Sequence, residues 1–281
     1  MKPIKVCLII LLVLLIAYTA ATDTLAPKNS GNAPIISSDI DELRIPCRYY
    51  PKYLLWKLKA YDVEDGYITD KILIGGFSDF TERGVSSLEY AVYDSDDNIA
   101  VFRRKVVFTD YAPPRITMSE PWVFKATDSI YNKPSLTLKG TDMLDGDISK
   151  HILISSADLD FSKPGKYTAS VYMKNSFGDE VTMDLPIHIL DPGQSGYVIE
   201  LTKPLIYAKI GETILPEQYL SAVRNEYTSE IIPAEEYELT INSNVDTSEA
   251  GVCEIQFTAV SSDGVQRGET WLTVIVGDYG G

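Results

Sequence analysis

Two stretches of the chain concentrate carboxylates at a spacing that suits a hard cation. The first is Asp62-Val-Glu64-Asp65-Gly66, followed further along by Asp94-Ser-Asp96-Asp97-Asn98; the second is Asp142-Met-Leu-Asp145-Gly146-Asp147, followed by Asn175-Ser-Phe-Gly178-Asp179. If the two turns of each pair emerge at one end of a fold, Asp62, Glu64, Asp65, Asp96 and Asp97 gather at one pole. Asp142, Asp145, Asp147 and Asp179 then gather at another. Calcium takes about six to eight oxygen ligands, and a bound cation offsets the repulsion of clustered carboxylates. The same residues have a plainer role open to them. Asp and Asn side chains bond backbone amides in turns, and Gly after Asp supplies a positive φ. Calcium is the one cofactor the pattern suggests, and turn-capping is its alternative.

Aromatic residues suggest a second chemistry. The chain has 18 Tyr, and Tyr49, Tyr50, Tyr53 and Trp56 crowd one short segment, with Tyr61 and Tyr67 after it. Such rings stack on sugar faces, so these four are candidate glycan-binding residues, although Tyr and Trp also fill strands of small β folds. Enzyme chemistry has no comparable footing. His151 and His188 lack a repeated Ser or Cys partner, Cys253 occupies an alternating strand position, and Cys47 follows Pro46. Neither a phosphate-binding Gly loop nor a zinc spacing occurs in the sequence. A non-enzymatic protein is expected.

The elements that must hold these turns repeat. Ala60-Tyr-Asp-Val-Glu-Asp-Gly-Tyr-Ile-Thr aligns with Gly140-Thr-Asp-Met-Leu-Asp-Gly-Asp-Ile-Ser, so that Asp62, Asp65, Gly66 and Ile68 recur 80 residues later as Asp142, Asp145, Gly146 and Ile148. Behind each motif runs an alternating strand: Ser86, Leu88, Tyr90 and Val92 in the first copy, Tyr167, Ala169, Val171 and Met173 in the second, and Cys253, Ile255, Phe257 and Ala259 in a third. Alternation of this kind marks a half-buried strand. A further strand follows each time, over 100–108, 180–190 and 270–276. Each unit therefore closes on a β-hairpin. Pro34, Pro113-Pro114 and the Asp191-Pro-Gly stretch punctuate the copies. Repeats of this length suit small immunoglobulin-like sandwiches. Three are expected, at 33–110, 113–191 and 197–276, with small interfaces between them. The third lacks the Asp-x-x-Asp-Gly motif, and its stretch Glu212 to Val245 is expected to hold a short helix.

The combination of Asp-x-x-Asp-Gly-x-Ile-Thr/Ser with a Pro-Gly-x-Tyr turn resembles bacterial immunoglobulin-like surface repeats, related in style to hyalin and cadherin modules. Asp142, Asp145, Gly146, Asp147, Ile148, Pro164, Gly165, Tyr167 and Gly178 match; the first copy departs at Arg83, Ser86 and Asp97, and the third keeps only the second half. The resemblance implies an all-β chain of tandem, non-catalytic modules that serve as spacers, stalks or adhesive domains on cell surfaces, without naming a ligand.

The bulk properties agree with export. Lys2 and Lys5 precede an apolar run from Val6 to Ala17 and the small residues Thr19, Ala20 and Ala21. That is the order of a secretory signal, with an apolar core shorter than the roughly 20 residues of a spanning helix. Residues 1–22 are read either as a cleaved signal peptide or as a retained anchor helix, and 23–32 as a linker. The protein is then secreted or on the cell surface, and meets a membrane only through its N-terminal segment. A formal net charge of −15 argues against nucleic acid and anionic lipid surfaces, leaving other surface proteins or glycans as partners. The two cysteines beyond the first segment, Cys47 and Cys253, fall in different modules and no disulfide is expected. Calcium at the acidic turns should raise the melting temperature in the submillimolar to millimolar range; an unchanged temperature with and without chelator assigns the residues to turn-capping alone.

Overall fold

A computed structural model describes residues 33–126, 137–156, 158–193, 196–243 and 245–277. The expected signal or anchor segment and the linker 23–32 lie outside the described residues. The chain divides into two compact units, Met1–Thr109 and Asp110–Gly281, and the described residues are arranged as β-sheets joined by short 3-10 turns.

The first unit contains β1 (Ile35–Ser38), β2 (Glu42–Ile45), β3 (Leu58–Asp62), β4 (Gly66–Tyr67), β5 (Leu73–Phe77), β6 (Val85–Tyr93) and β7 (Ile99–Phe108). They form a three-stranded sheet in the order β1-β3-β4 and a four-stranded sheet in the order β2-β7-β6-β5. The hairpin read from the sequence is β6–β7, in register from Val85↔Val107 to Tyr93↔Ile99. Strand β6 keeps strict alternation, turning Ser86, Leu88, Tyr90 and Val92 inward. On the facing sheet, β3 buries Leu58, Ala60 and Asp62. Period-2 side-chain placement thus puts one acidic residue, Asp62, at the inner end of a core strand.

The second unit opens with the same plan. Strands β8 (Arg115–Met118), β10 (Leu138–Asp142) and β11 (Gly146–Asp147) form one sheet. Strands β9 (Val123–Lys125), β12 (Leu153–Ser155), β13 (Gly165–Lys174) and β14 (Glu180–Leu190) form the other, in the order β12-β13-β14-β9. Two further sheets follow. One pairs β15 (Tyr197–Leu201) with β17 (Leu220–Asn225). The other runs β16-β20-β19-β18, with β16 at Leu205–Ala208, β18 at Tyr237–Ser243, β19 at Gly251–Ser261 and β20 at Arg267–Val276. The stretch expected to hold a short helix contains short 3-10 helices at Pro216–Tyr219 and Ala234–Glu236, but most of it forms β17 and β18. Close approach of β15 to β20 requires Gly268, because a Cβ there would lie 2.4 Å from the Tyr197 carbonyl oxygen.

The second and third sheet pairs are fused, which corrects the expectation of small interfaces. Strand β14 alternates in burial as far as Asp184, after which Leu185, Pro186, Ile187, His188 and Ile189 are all buried. Strand β20 likewise alternates and then buries Leu272 to Val276 without a break. Continuous burial means both faces are covered. What covers them is the other pair: Leu205 and Ile275 belong to the same apolar core as Ile116, Val171, Leu185 and Ile187. Polar contacts complete the seam. The Tyr207 hydroxyl accepts the Ile116 amide at 2.8 Å, and Lys125 pairs with Glu226. The His188 ring lies flat on Trp271 at 3.7 Å and meets Glu254 at 2.6 Å, while Lys166 reaches the same carboxylate at 2.6 Å.

Burial pushes the Glu254 carboxyl up, but the hydrogen bonds and charges of His188 and Lys166 outweigh it and hold the group below the ordinary glutamate range. A depressed carboxyl contributes stability above its unfolded pKa of about 4.3 and loses it as pH falls. Glu254→Gln should therefore cost about 2 kcal/mol in the second unit at pH 7, with the difference shrinking toward pH 3, as read by chemical denaturation at both pH values.

Candidate functional site: the acidic poles

Each residue of the Asp-x-x-Asp-Gly-x-Ile-Thr/Ser motif has a structural task in both copies. The buried Asp62 carboxylate accepts the amides of Glu64 at 2.8 Å and Asp65 at 2.9 Å. Asp142 accepts those of Leu144 at 2.8 Å and Asp145 at 3.0 Å. Gly66 and Gly146 take φ of +75° and +73°, which L side chains adopt poorly. Ile68 and Ile148 are buried, and each amide reaches back to the strand, on the carbonyls of Ala60 and Gly140. The hydroxyls of Thr69 and Ser149 accept the amides of those same two residues at 3.0 and 3.1 Å.

The second acid of the motif ties the turn to the hairpin. Asp65 accepts the Ser95 amide and hydroxyl at 2.8 and 2.7 Å, and Asp145 accepts those of Ser176 at 2.6 and 2.7 Å. The two turns of each copy thus do share one pole. Within the hairpin, Asp94 accepts the amides of Asp96 and Asn98 and the Asn98 side-chain amide. Asn175 does the corresponding work, accepting the amides of Phe177 and Asp179.

The second pole contains a group that the acidic pattern does not reveal. The Tyr111 hydroxyl donates to Asp179 at 2.8 Å and accepts the Asn175 side-chain amide at 2.8 Å; that amide also lies 3.1 Å from Asp142. Burial, followed by the hydrogen bond to Asp179 and the negative charge of Asp142, pushes the Tyr111 phenol far above its ordinary range. A neutral hydroxyl therefore sits between Asp142 and Asp179. The signal for it lay in the repeat: Tyr111 precedes the Pro113-Pro114 linker, and the residue 80 positions earlier is Gly31.

Two candidates stand away from these networks. Asp97 is exposed and occupies the left-handed position of its turn at φ +64°, the place taken by Gly178 in the second hairpin. Asp147 is exposed and accepts the Ser149 amide and hydroxyl at 2.9 and 2.5 Å, turned onto its own loop. Among the described residues no three His, Cys, Asp or Glu side chains are placed to hold a metal ion. Of the aromatic candidates, Tyr50, Tyr53 and Trp56 are exposed. Tyr49 is not part of that surface, because its ring packs on Phe77 and Phe108 at 6.4 and 6.3 Å, and burial raises its phenol pKa. Cys47 is buried and Cys253 half-buried. A cleft of about 590 Å³ also opens between the second and third sheet pairs, flanked by Phe124, Lys125, Tyr197 and Glu226.

No family model matches the chain. The pesticidal crystal protein Cry22Aa of Bacillus thuringiensis is 25% identical over 259 residues, covering 87% of this chain. The chain spans 33% of that relative's length. Among solved structures, the CBM51-2 and INT domains of Clostridium perfringens ZmpB, in complex with GlcNAc, align at 20% identity and a TM-score of 0.23, covering 53% of this chain and 26% of theirs. Mouse cadherin-23 EC22-24 aligns at 13% identity and a TM-score of 0.20, covering 87% of this chain and 99% of its own.

Charge at the first pole is unbalanced in one place. The carboxylate of Asp96 beside Glu64, joined by Asp62 and Asp94, pushes the Glu64 carboxyl above its ordinary range. A raised carboxyl contributes stability below its unfolded pKa of about 4.3 and loses it as pH rises. Glu64→Gln should accordingly raise the melting temperature of the first unit at pH 7 and leave it unchanged near pH 3.5, as followed by calorimetry.

Proposed function

We propose that the chain is a non-catalytic, extracytoplasmic bacterial protein that acts by surface contact, as an adhesion, spacer or scaffold module built from three β-sandwiches. The observation that carries this reading is the continuous core joining the second and third sheet pairs, in which Leu205 and Ile275 pack with Ile116 and Leu185. Fusion of two sandwiches through an apolar core and a His188–Glu254–Lys166 seam resists bending, which a spacer needs and a hinged enzyme does not. The conspicuous acids serve the same end, since Asp62, Asp65, Asp142 and Asp145 spend their oxygens on turn and hairpin groups. Similarity to one third of a Bacillus thuringiensis protein supports the bacterial and modular parts of the reading.

A second reading, an accessory module that binds glycans for a separate enzyme or envelope machine, is favoured by one observation: Tyr50, Tyr53 and Trp56 present their rings to solvent. Both readings place the protein beyond the cytoplasmic membrane. Fractionation of cells carrying the full chain, with crosslinking before lysis, should recover it outside that membrane joined to a surface protein or glycan. Recovery in the cytosol without a crosslinked partner sinks both.

A further inference from the structure

In a chain with a net charge of −15, residues 46–61 hold Arg48, Lys52, Lys57 and Lys59 and not one Asp or Glu. Lys59 is paired with Asp39 at 3.0 Å. Arg48, Lys52 and Lys57 are exposed and share their segment with the exposed aromatics. Pro51 opens a 3-10 helix over Pro51–Leu55, flanked by Tyr50 and Trp56. Such a helix turns once in about three residues, so side chains three apart eclipse. Tyr50 and Tyr53 share one edge, their rings 6.3 Å apart; Trp56 follows at the C-terminal cap, and the three residues are 71, 48 and 53% exposed. Lys52 lies 5.7 Å from the Tyr53 ring and Lys57 5.6 Å from the Trp56 ring. Leu54 points the other way, into the core.

This ledge is fixed from beneath by a buried cation. Arg104 is 2% exposed; its guanidinium donates to the Leu54 carbonyl at 2.6 Å and the Trp56 carbonyl at 2.8 Å, and to the Tyr90 hydroxyl at 2.9 Å. Tyr90 itself donates to the Leu54 carbonyl at 2.7 Å. Among the described residues no carboxylate pairs with Arg104, and its Nε has no hydrogen-bond partner. A buried guanidinium without a counter-ion is costly, and here its return is the position of two ledge carbonyls. Backbone strain marks the same segment, since Lys57 holds φ at +63°.

We propose that this ledge is a binding site for an anionic polysaccharide. Sugar ring faces stack on Tyr50, Tyr53 and Trp56, and carboxylate or sulfate groups along the chain meet Lys52, Lys57 and Arg48. A fixed aromatic edge suits such a ligand because the rings lose little freedom on binding. The charge density selects among polyanions. Nucleic acid carries about one charge every 1.7 Å of duplex, denser than three cations set among rings can match. A polysaccharide spaces its charges a sugar or more apart, matching a few cations set among rings. The proposal rests on the second reading, glycan contact at these three rings, and adds to it the charge of the ligand; retardation by the neutral polymer alone would leave that reading and sink this proposal.

The experiment is affinity electrophoresis of the full chain in gels containing hyaluronan, polygalacturonate or hydroxyethyl cellulose, with parallel mixtures of a single-stranded oligonucleotide and of vesicles containing phosphatidylglycerol. Retardation by hyaluronan or polygalacturonate is expected, and it should weaken as salt rises. Trp56→Ala and Tyr53→Ala, both at exposed positions, should each weaken it about fivefold to tenfold. Lys52→Gln with Lys57→Gln should reduce its salt dependence, leaving the part that Arg48 carries. The proposal is overturned if neither polyanion retards the chain, if Trp56→Ala binds as the parent does, or if the neutral polymer retards it equally and the double Lys variant is unaffected. Binding of the oligonucleotide or the vesicles that Trp56→Ala abolishes would assign the ledge to those ligands instead.

Discussion

A strand buried on one face needs only alternate apolar residues, whereas a strand buried on both must satisfy every side chain. The second unit depends on meeting the stricter condition twice, in the last halves of β14 and β20. Strand β20 meets it with apolar residues: Leu272, Val274, Ile275 and Val276 leave only Thr273 to accommodate. Strand β14 cannot, because Pro186 and His188 stand among Leu185, Ile187 and Ile189. Pro186 carries no amide to leave unpaired. His188 is covered by Trp271 and bonded to Glu254. Removing either partner would strand a polar ring at a face sealed by the third sheet pair. This condition joins the two sheet pairs in one body.

The poles show one backbone solution with two fillings. The Asp cap, the positive-φ Gly and the bond to a hairpin Ser are the same at Asp62, Gly66 and Ser95 as at Asp142, Gly146 and Ser176. The difference is an exchange within the hairpin. Asp94 and Asn98 in the first copy stand where Asn175 and Asp179 stand in the second. Moving the carboxylate to the end of the turn brings Asp179 toward Asp142, and the Tyr111 hydroxyl, donating to one and held by Asn175, separates them. The first copy keeps its acid at the start of the turn, where the amides of Asp96 and Asn98 and the Asn98 side chain neutralise it. Its remaining excess falls on Glu64 and Asp96 instead.

What was legible in the sequence is what repeats or alternates. The hairpin strands were readable because Leu88, Tyr90 and Val92, or Ala169, Val171 and Met173, sit at period two on a face that must be buried. The shared pole was readable because Asp65 and Asp145 recur at the same place in each copy. The rest depends on contacts between segments that carry no mutual signature. His188 resembles any outward polar residue of a hairpin until Trp271 lies on it. Strands β17 and β18 sit in a polar stretch whose register is set by β15 and β19 rather than by its own pattern. Residue type also failed to separate Tyr49 from Tyr50: the ring inside touches Phe77 and Phe108, and the ring outside touches Tyr53.

The two chemistries of the first unit lie at opposite ends of one strand. Strand β3 begins at Leu58, directly after the ledge, and ends at Asp62, where the acidic turn begins. Five residues of strand span about 17 Å, longer than the Debye length of about 8 Å at physiological salt. Cations at Arg48, Lys52 and Lys57 are therefore screened from the carboxylates of Glu64 and Asp96 and keep their own local field. An anion approaching the unit is repelled from the turn end and drawn to the ledge end. Arg104 adds to this field from below, since its charge is not cancelled by a carboxylate and lies beneath the carbonyls of Leu54 and Trp56. The same side chain that fixes the shape of the aromatic edge thus also sets the sign of the ligand it attracts.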